Sequence, residues 1–166
     1  MIKGIGFAGR LWAISWPSFL HNRKEQTGRP EIDLQAKKDE WVRSVEGLYR
    51  LVREMLRKSI ESKDVTVRMF EVDVAEYYVG TYTIPALELI VGGERVEFRP
   101  RGILVLGAEG RVDVRGGTDT VALVKNTADG DDEWTMILQR VPHLKTAPLD
   151  RDLLKYALER VMLPLR

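Results

Sequence analysis

The sequence contains no cysteine and only two histidines, His21 and His143. Without cysteine the chain cannot form a disulfide bond, a thiolate metal site or a thiol nucleophile, and such a chain is typical of a reducing compartment. A serine triad needs a histidine beside the serine, and every serine of this chain lies at or before Ser62. We therefore expect a non-catalytic protein with no metal and no other cofactor.

Long apolar runs are also missing. The apolar stretch near the start, IGFAGRLWAISWPSFL, is interrupted by Arg10 and Pro17 and lacks the small-residue cleavage site of a signal peptide. No stretch approaches the roughly 20 apolar residues of a membrane span. The 166 residues, 44% hydrophobic and 31% charged, have the size and composition of one globular domain. We expect a soluble, cytoplasmic protein that does not bind a membrane.

The first 33 residues have no sustained period and form a predicted arm. Glycine and proline interrupt them, and HNRKEQTGRPE has the composition of a polar linker. Within this arm Trp12, Trp16 and Phe19 follow one another at helix-like spacing. Aromatic residues at this density are typical of interface anchors. We predict an arm over residues 1–33 that docks on its own chain or on another chain, and a single α+β domain over residues 34–166.

From Asp33 to about Ser62 the apolar residues recur with the period of an α-helix. Its apolar positions recur at alternating steps of four and three residues: Trp41, Val45, Leu48, Val52 and Met55. Further apolar residues beside these positions widen the stripe beyond a coiled-coil seam, which favours packing on a sheet. The sequence therefore predicts one long N-terminal helix.

Arg43, Arg50 and Arg57 recur at seven-residue steps on one side of this helix, as in a nucleic-acid-binding face. Asp39 and Glu46 lie four residues before the first two arginines, in the orientation that favours ion pairs within a helix. The formal net charge of the chain is only +1, whereas nucleic-acid-binding domains are usually basic. We interpret this side as self-paired and solvated, with nucleic-acid binding as the less favoured alternative.

From residue 64 onward apolar and polar residues alternate, which is the period of a β-strand. Two hairpins are indicated, one at Gly92 and Gly93 and one at the acidic segment TADGDD. About seven strands follow one another with no helix between them, so the sheet is predicted to be antiparallel. After Asp150 the apolar residues again recur at helical spacing, and aspartate is a favoured N-cap residue. We predict an α+β fold with a long N-terminal helix, a curled antiparallel sheet or small barrel of about seven strands, and a closing C-terminal helix.

The stretch RGILVLGAEGRVDVRGG, residues 101–117, resembles a phosphate-binding motif at first sight. Gly102 and Gly107 have the spacing of a P-loop, but Ala108 and Glu109 stand where lysine and serine or threonine are required. The segment that follows alternates like a strand, whereas a P-loop leads into a helix. The sequence therefore predicts two strands whose connecting and flanking glycines take positive φ in turns.

Two of the predicted strands repeat one order of charges, basic, acidic, basic, on a single face. The residues are Arg95, Glu97 and Arg99 on the first strand and Arg111, Asp113 and Arg115 on the second. If adjacent, the strands would form a self-neutralising cross-strand ladder or a positive patch for a phosphorylated or acidic partner. The residues predicted as a polar binding face are Arg95, Arg99, Arg111, Asp113 and Arg115.

Three acids, Glu71, Asp73 and Glu76, are the candidates for acid–base chemistry or a two-metal site. Glu71 and Asp73 share a strand face, but neither a histidine nor a third aligned acid accompanies them. We therefore expect a non-catalytic protein-interaction or scaffolding domain that binds a protein partner or itself, as a homo-oligomer. Binding of nucleic acid or of a phosphate ligand is the alternative.

Overall fold

The computed structural model describes residues 33–77, 79–103, 109–128, 131–139 and 143–164. The chain divides into two units, Met1–Leu34 and Gln35–Arg166, and the fold below is that of the second. The predicted interface residues Trp12, Trp16 and Phe19 lie outside the described residues, so their role stays a prediction.

The first helix, α1, spans Leu34–Met55. Its apolar positions form one buried side: Trp41, Val45, Leu48, Tyr49 and Val52. The Tyr49 hydroxyl donates to the backbone oxygens of Pro85 and Phe98 at 3.0 and 3.1 Å, which holds the middle of α1 on the sheet. Burial raises the pKa of Tyr49, so the hydroxyl retains the proton that it donates.

The single long helix predicted from the apolar period is interrupted after α1. Leu56 adopts φ −97° and ψ 6°, in the bridge region between helix and strand, and a short helix, α2, follows at Arg57–Glu61. Lys63 then takes the left-handed conformation at φ 64°. The amide of Asp64 donates to the Ser59 oxygen at 2.9 Å, the pattern that terminates many helices.

Seven strands follow and form one antiparallel sheet in chain order. They are β1 (Val65–Glu76), β2 (Gly80–Val91), β3 (Glu94–Gly102), β4 (Arg111–Arg115), β5 (Thr120–Ala128), β6 (Asp131–Gln139) and β7 (Lys145–Pro148). Each strand pairs with the next, so β1 and β7 are the two edges, and over the described residues the sheet does not close into a barrel. The α+β class and the antiparallel sheet of seven strands are confirmed, and the small-barrel alternative is wrong.

The turn between β2 and β3 is the predicted glycine hairpin. Gly92 and Gly93 take φ +57° and +91°, as two-residue hairpin turns with two positive φ angles require. Val91 and Glu94 pair directly across the turn. This hairpin prediction is confirmed.

The β1–β2 hairpin buries opposite faces at its two ends. Val65 is buried at the start of β1, whereas Val72 and Val74, which point to the other side of the strand, are buried near its end. In β2, Ile84 and Leu87 are both buried although they also lie on opposite faces. The face of this hairpin that is buried therefore changes along its length.

A third helix, α3 (Arg151–Val161), closes the fold as predicted. The Asp150 side chain accepts the Leu153 amide at 2.8 Å and so caps the helix. Side chains of α1 and α3 join one apolar core with the sheet, which contributes Val96, Phe98, Val112, Val114 and Leu123. None of the helices in the described part of the chain is long and apolar enough to cross a membrane.

Two glycines of the 101–117 stretch are required by close packing. A Cβ atom on Gly110 would lie 2.1 Å from Cζ3 of Trp41, because the indole of α1 packs directly on this glycine. A Cβ atom on Gly116 would lie 2.3 Å from the backbone oxygen of Val161. Gly116 does not take the positive φ predicted for it. The prediction that these glycines serve turns therefore missed the contacts that exclude a side chain.

Candidate functional site

Strands β3 and β4 are adjacent, and their register brings the two charged faces together. Glu97 lies opposite Arg115, and Arg99 lies opposite Asp113, so each acid faces an arginine. Neighbouring strands add further charges on the same side of the sheet. We call this surface the arginine face; it consists of Arg68, Glu88, Arg95, Glu97, Arg99, Arg101, Arg111, Asp113 and Arg115.

Asp113 is buried in the arginine face, with 6% of its surface exposed. The Nε atom of Arg111 donates to its Oδ1 at 2.6 Å, and Nε of Arg101 lies 3.5 Å from its Oδ2. A buried carboxylate is tolerated only where such partners compensate its lost hydration. Asp113 in turn fixes both guanidinium groups at the surface of the sheet.

A second buried acid, Glu88, lies on β2 with 5% of its surface exposed. Arg68 faces it across the β1–β2 ladder, with Nη1 at 3.5 Å from its Oε2. Arg95 Nη1 lies at the same distance from Oε1. Oε2 has no aligned hydrogen bond within the described structure, so its contact with Arg68 is an ion pair only. The sequence analysis did not single out Glu88; a lone acid inside the apolar run ALELIV was the available signal.

The six arginines and three acids of this face are exposed to different degrees. The side chains of Arg95 and Arg101 are 66% and 52% exposed, and Arg115 makes no ion pair with any described residue. Two of the acids are buried. The third, Glu97, is half-buried and lies 3.8 Å from Arg99. Negative charge therefore lies beneath the surface, and the side chains that solvent meets are mainly positive.

The chemistry that this surface supports is binding of anions. Along a strand, side chains on one face recur about every 7 Å, and neighbouring strands lie about 5 Å apart, so the arginines form a spaced array. Each guanidinium group can bind a carboxylate or a phosphate through two parallel hydrogen bonds. Arginine, glutamate and aspartate supply no nucleophile of the serine, cysteine or histidine type here.

The basic residues predicted as a nucleic-acid face form a separate surface. They are exposed on α1 and α2: Arg43, Arg50 and Arg57. Arg57, at the start of α2, lies 3.7 Å from Glu54 near the end of α1. The indole of Trp41 on α1 packs 6.0 Å from that of Trp134, on the side of the sheet opposite Asp113. The helix arginines therefore do not extend the arginine face.

The three acids considered for catalysis are divided between the two faces of β1. Glu71 and Asp73 are exposed on one face, and Glu76 lies on the other. Glu76 accepts the Tyr82 hydroxyl at 2.6 Å and the Ile103 amide at 3.0 Å. Burial, and then the neighbouring Glu76 carboxylate, raise the pKa of Tyr82. Among the described residues no group of three histidine, aspartate or glutamate side chains is placed to hold a metal ion.

Comparison of the chain with protein-family models, with curated proteins and with solved structures gives no match.

Proposed function

We propose that the protein is a non-catalytic interaction domain whose arginine face binds an acidic segment of a protein partner. The observation that carries the proposal is the layering of charge, with Glu88 and Asp113 buried beneath exposed arginines. A guanidinium group held by a buried acid loses little further freedom when it binds a second carboxylate. The face is thus preorganised for anions.

Stability alone does not explain why these two acids are buried. Removing a carboxylate from water costs several kcal/mol before its partners compensate, and apolar residues in the same places are often as stable or more so. An ion pair with an exposed arginine contributes about 1 kcal/mol or less to the free energy of unfolding. Placing Glu88 and Asp113 under the arginines is therefore better explained by recognition.

An acidic protein segment fits this face better than a nucleic acid does. Glu97, with 36% of its side chain exposed, lies amid the arginines, opposite Arg115. A phosphate backbone carries negative charge at every step and would bring charge against Glu97, whereas a protein segment can present a neutral residue there. The near-neutral net charge of +1 also favours a local contact over a long polyanion.

The partner can be a second copy of this chain, as the prediction of self-association requires. Residues 129–133 read DGDDE, an acidic sequence of the kind that the arginine face would bind.

A direct test uses a fluorescent twelve-residue peptide of glutamate and aspartate, with binding measured by anisotropy at low salt. Replacing Arg95→Gln and Arg115→Gln together should weaken binding about tenfold, because two charge-assisted contacts are removed. The matched control, Arg43→Gln with Arg50→Gln, removes the same charge from α1 and should leave the affinity within about twofold.

Equal losses in the two double variants would contradict the proposal, because only net charge would then matter. A single-stranded oligonucleotide that binds more tightly than the peptide would identify nucleic acid as the ligand. Sedimentation of the full chain decides the remaining question: a dimer that dissociates in the Arg95 and Arg115 variant identifies a second copy as the acidic partner.

A further inference from the structure

An apolar groove lies between the end of α1, the β2–β3 turn and α3. Its volume is about 550 Å³, within the range of about 300 to 1,000 Å³ that small-molecule sites occupy. Eight of its lining residues are apolar, and six of these belong to the core or pack against it: Met55, Leu56, Val91, Leu154, Leu158 and Met162. Leu154 is fully buried and the others are partly buried against the core, so the groove is a continuation of the core that opens to solvent.

Four charged side chains stand at the rim of this groove. The Glu94 carboxylate accepts the Leu163 amide at 2.8 Å, and Lys155 Nζ lies 3.6 Å from Glu159 Oε1. Arg151 makes no ion pair with any residue in the described part of the chain. Its guanidinium group is therefore the rim charge that remains for a ligand.

We propose that the groove binds a single-chain aliphatic amphiphile with an anionic head, such as a fatty acid. The chain lies along the leucine and methionine wall, and the head pairs with Arg151. Methionine side chains adapt to a flexible chain, burial of each methylene adds affinity, and a guanidinium group pairs with a carboxylate through two hydrogen bonds. Val91 lies on the side of β2 opposite Glu88, so this site is separate from the arginine face and does not depend on the proposed function.

The charged rim favours a thin ligand over a protein helix or a second copy. A helix about 10 Å wide would also cover Glu94, Lys155 and Glu159 and would have to remove water from all three. An aliphatic chain needs only the apolar wall between them. Arg151 is the rim residue whose positive charge can pair with a ligand, and an aliphatic amphiphile has one charged end.

Calorimetry of the full chain with octanoate, decanoate and dodecanoate tests this assignment. Each added methylene should tighten binding about fourfold until the groove is full. Decanol should bind more weakly than decanoate, and Arg151→Gln should remove that difference. Leu158→Trp fills the groove and should weaken dodecanoate binding about tenfold, whereas Leu51→Trp, on an exposed position of α1, should not.

An affinity that does not change with chain length, or equal binding of decanol and decanoate to the wild type, would overturn the proposal. So would a folded Leu158→Trp variant that binds dodecanoate as the wild type does; if that variant does not fold, the chain-length series and Arg151→Gln still decide. A dimer that dissociates on introducing Leu158→Trp would show that a second copy covers the groove instead. Binding of the acidic peptide should be unchanged in Arg151→Gln, which separates this site from the arginine face.

Discussion

The two sides of the sheet carry charge to different extents: the side covered by α1 buries Lys125, whose Nζ lies 3.1 Å from Glu40 Oε1, whereas the other side carries an array of arginines and acids. On the side covered by α1, Phe98 and Val114 are fully buried in the apolar core. One residue further along each strand the side chain turns to the other side, where Arg99 and Asp113 belong to the arginine face. The first side seals out water and holds the fold together. The second side keeps exposed arginines above buried acids, an arrangement that is costly for stability.

The largest effect is expected on the sealed side, at Gly110. Replacement by alanine would drive a Cβ atom to within 2.1 Å of the Trp41 ring, and it would also place a side chain on a residue with φ +155°, a conformation that side chains rarely adopt. Overpacking of this kind costs about 3 kcal/mol of the free energy of unfolding. Urea denaturation of the variant measures the loss.

Gly117→Ala is the control for the loss of glycine flexibility alone, because Gly117 has no positive φ and its nearest neighbour, Leu163 Cγ, lies 3.9 Å from the position of the added Cβ. It should change the free energy of unfolding by less than about 0.5 kcal/mol. Similar losses in the two variants would mean that glycine itself matters through chain flexibility and that the Trp41 contact does not.

A smaller effect is expected beneath the arginine face, at Glu88. Glu88→Gln removes the charge between Arg68 and Arg95 and leaves the two guanidinium groups close together without it. Because both arginines are more than half exposed, water reduces the penalty to about 2 kcal/mol. Chemical denaturation checks this value. Glu97→Gln, at a half-buried position of the same face, should cost less than about 0.5 kcal/mol, and a ranking in the reverse order would contradict the layered arrangement.

The smallest effect concerns the tie between the β4–β5 turn and α3. Arg160 Nε donates to Asp119 Oδ2 at 2.7 Å, and this hydrogen bond is the main cause that lowers the pKa of Asp119. A carboxyl group with a lowered pKa in the folded state stabilises above its unfolded pKa, and this stabilisation is lost as pH falls through the folded pKa. Asp119→Asn should therefore lower Tm slightly at pH 7, and the difference from wild type should shrink as pH falls below about 4.

A double-mutant cycle provides the check on this pair. Asp119→Asn combined with Arg160→Gln should lose less stability than the sum of the two single losses, since both changes break the same contact; the Arg160–Tyr156 and Thr120–Asp119 hydrogen bonds are counted once each. Losses that add would show that the two side chains act independently, despite the short distance between them.

Features that depend on neighbours within a few residues were predictable from the sequence. Gly92 and Gly93 specify their turn by conformation, and Asp150 caps α3 through an amide three residues away. Strand alternation placed Arg99 and Asp113 on polar faces of their strands before the partners of those strands were known. In each of these cases the structure depends on residues close in the chain, so the sequence pattern is enough to predict it.

Features that depend on distant contacts were not predictable in this way. Gly110 resembles any turn glycine until Trp41 is placed on top of it. Glu88 and Arg68 meet only through the register of β1 on β2, and the break at Leu56 leaves the apolar period of the helix unchanged. Whether seven strands close into a barrel depends on whether the first and last meet, which alternation within a strand does not encode.

The open edge at β1 has a consequence for behaviour at high concentration. Within the described residues no strand pairs with the outer side of this twelve-residue strand, and an edge of this kind is a template on which further chains can pair and aggregate. Glu71 and Asp73, exposed on this strand, place like charges where a second β1 would add, and such charges oppose pairing. We therefore expect Glu71 and Asp73 to disfavour fibre formation through this edge.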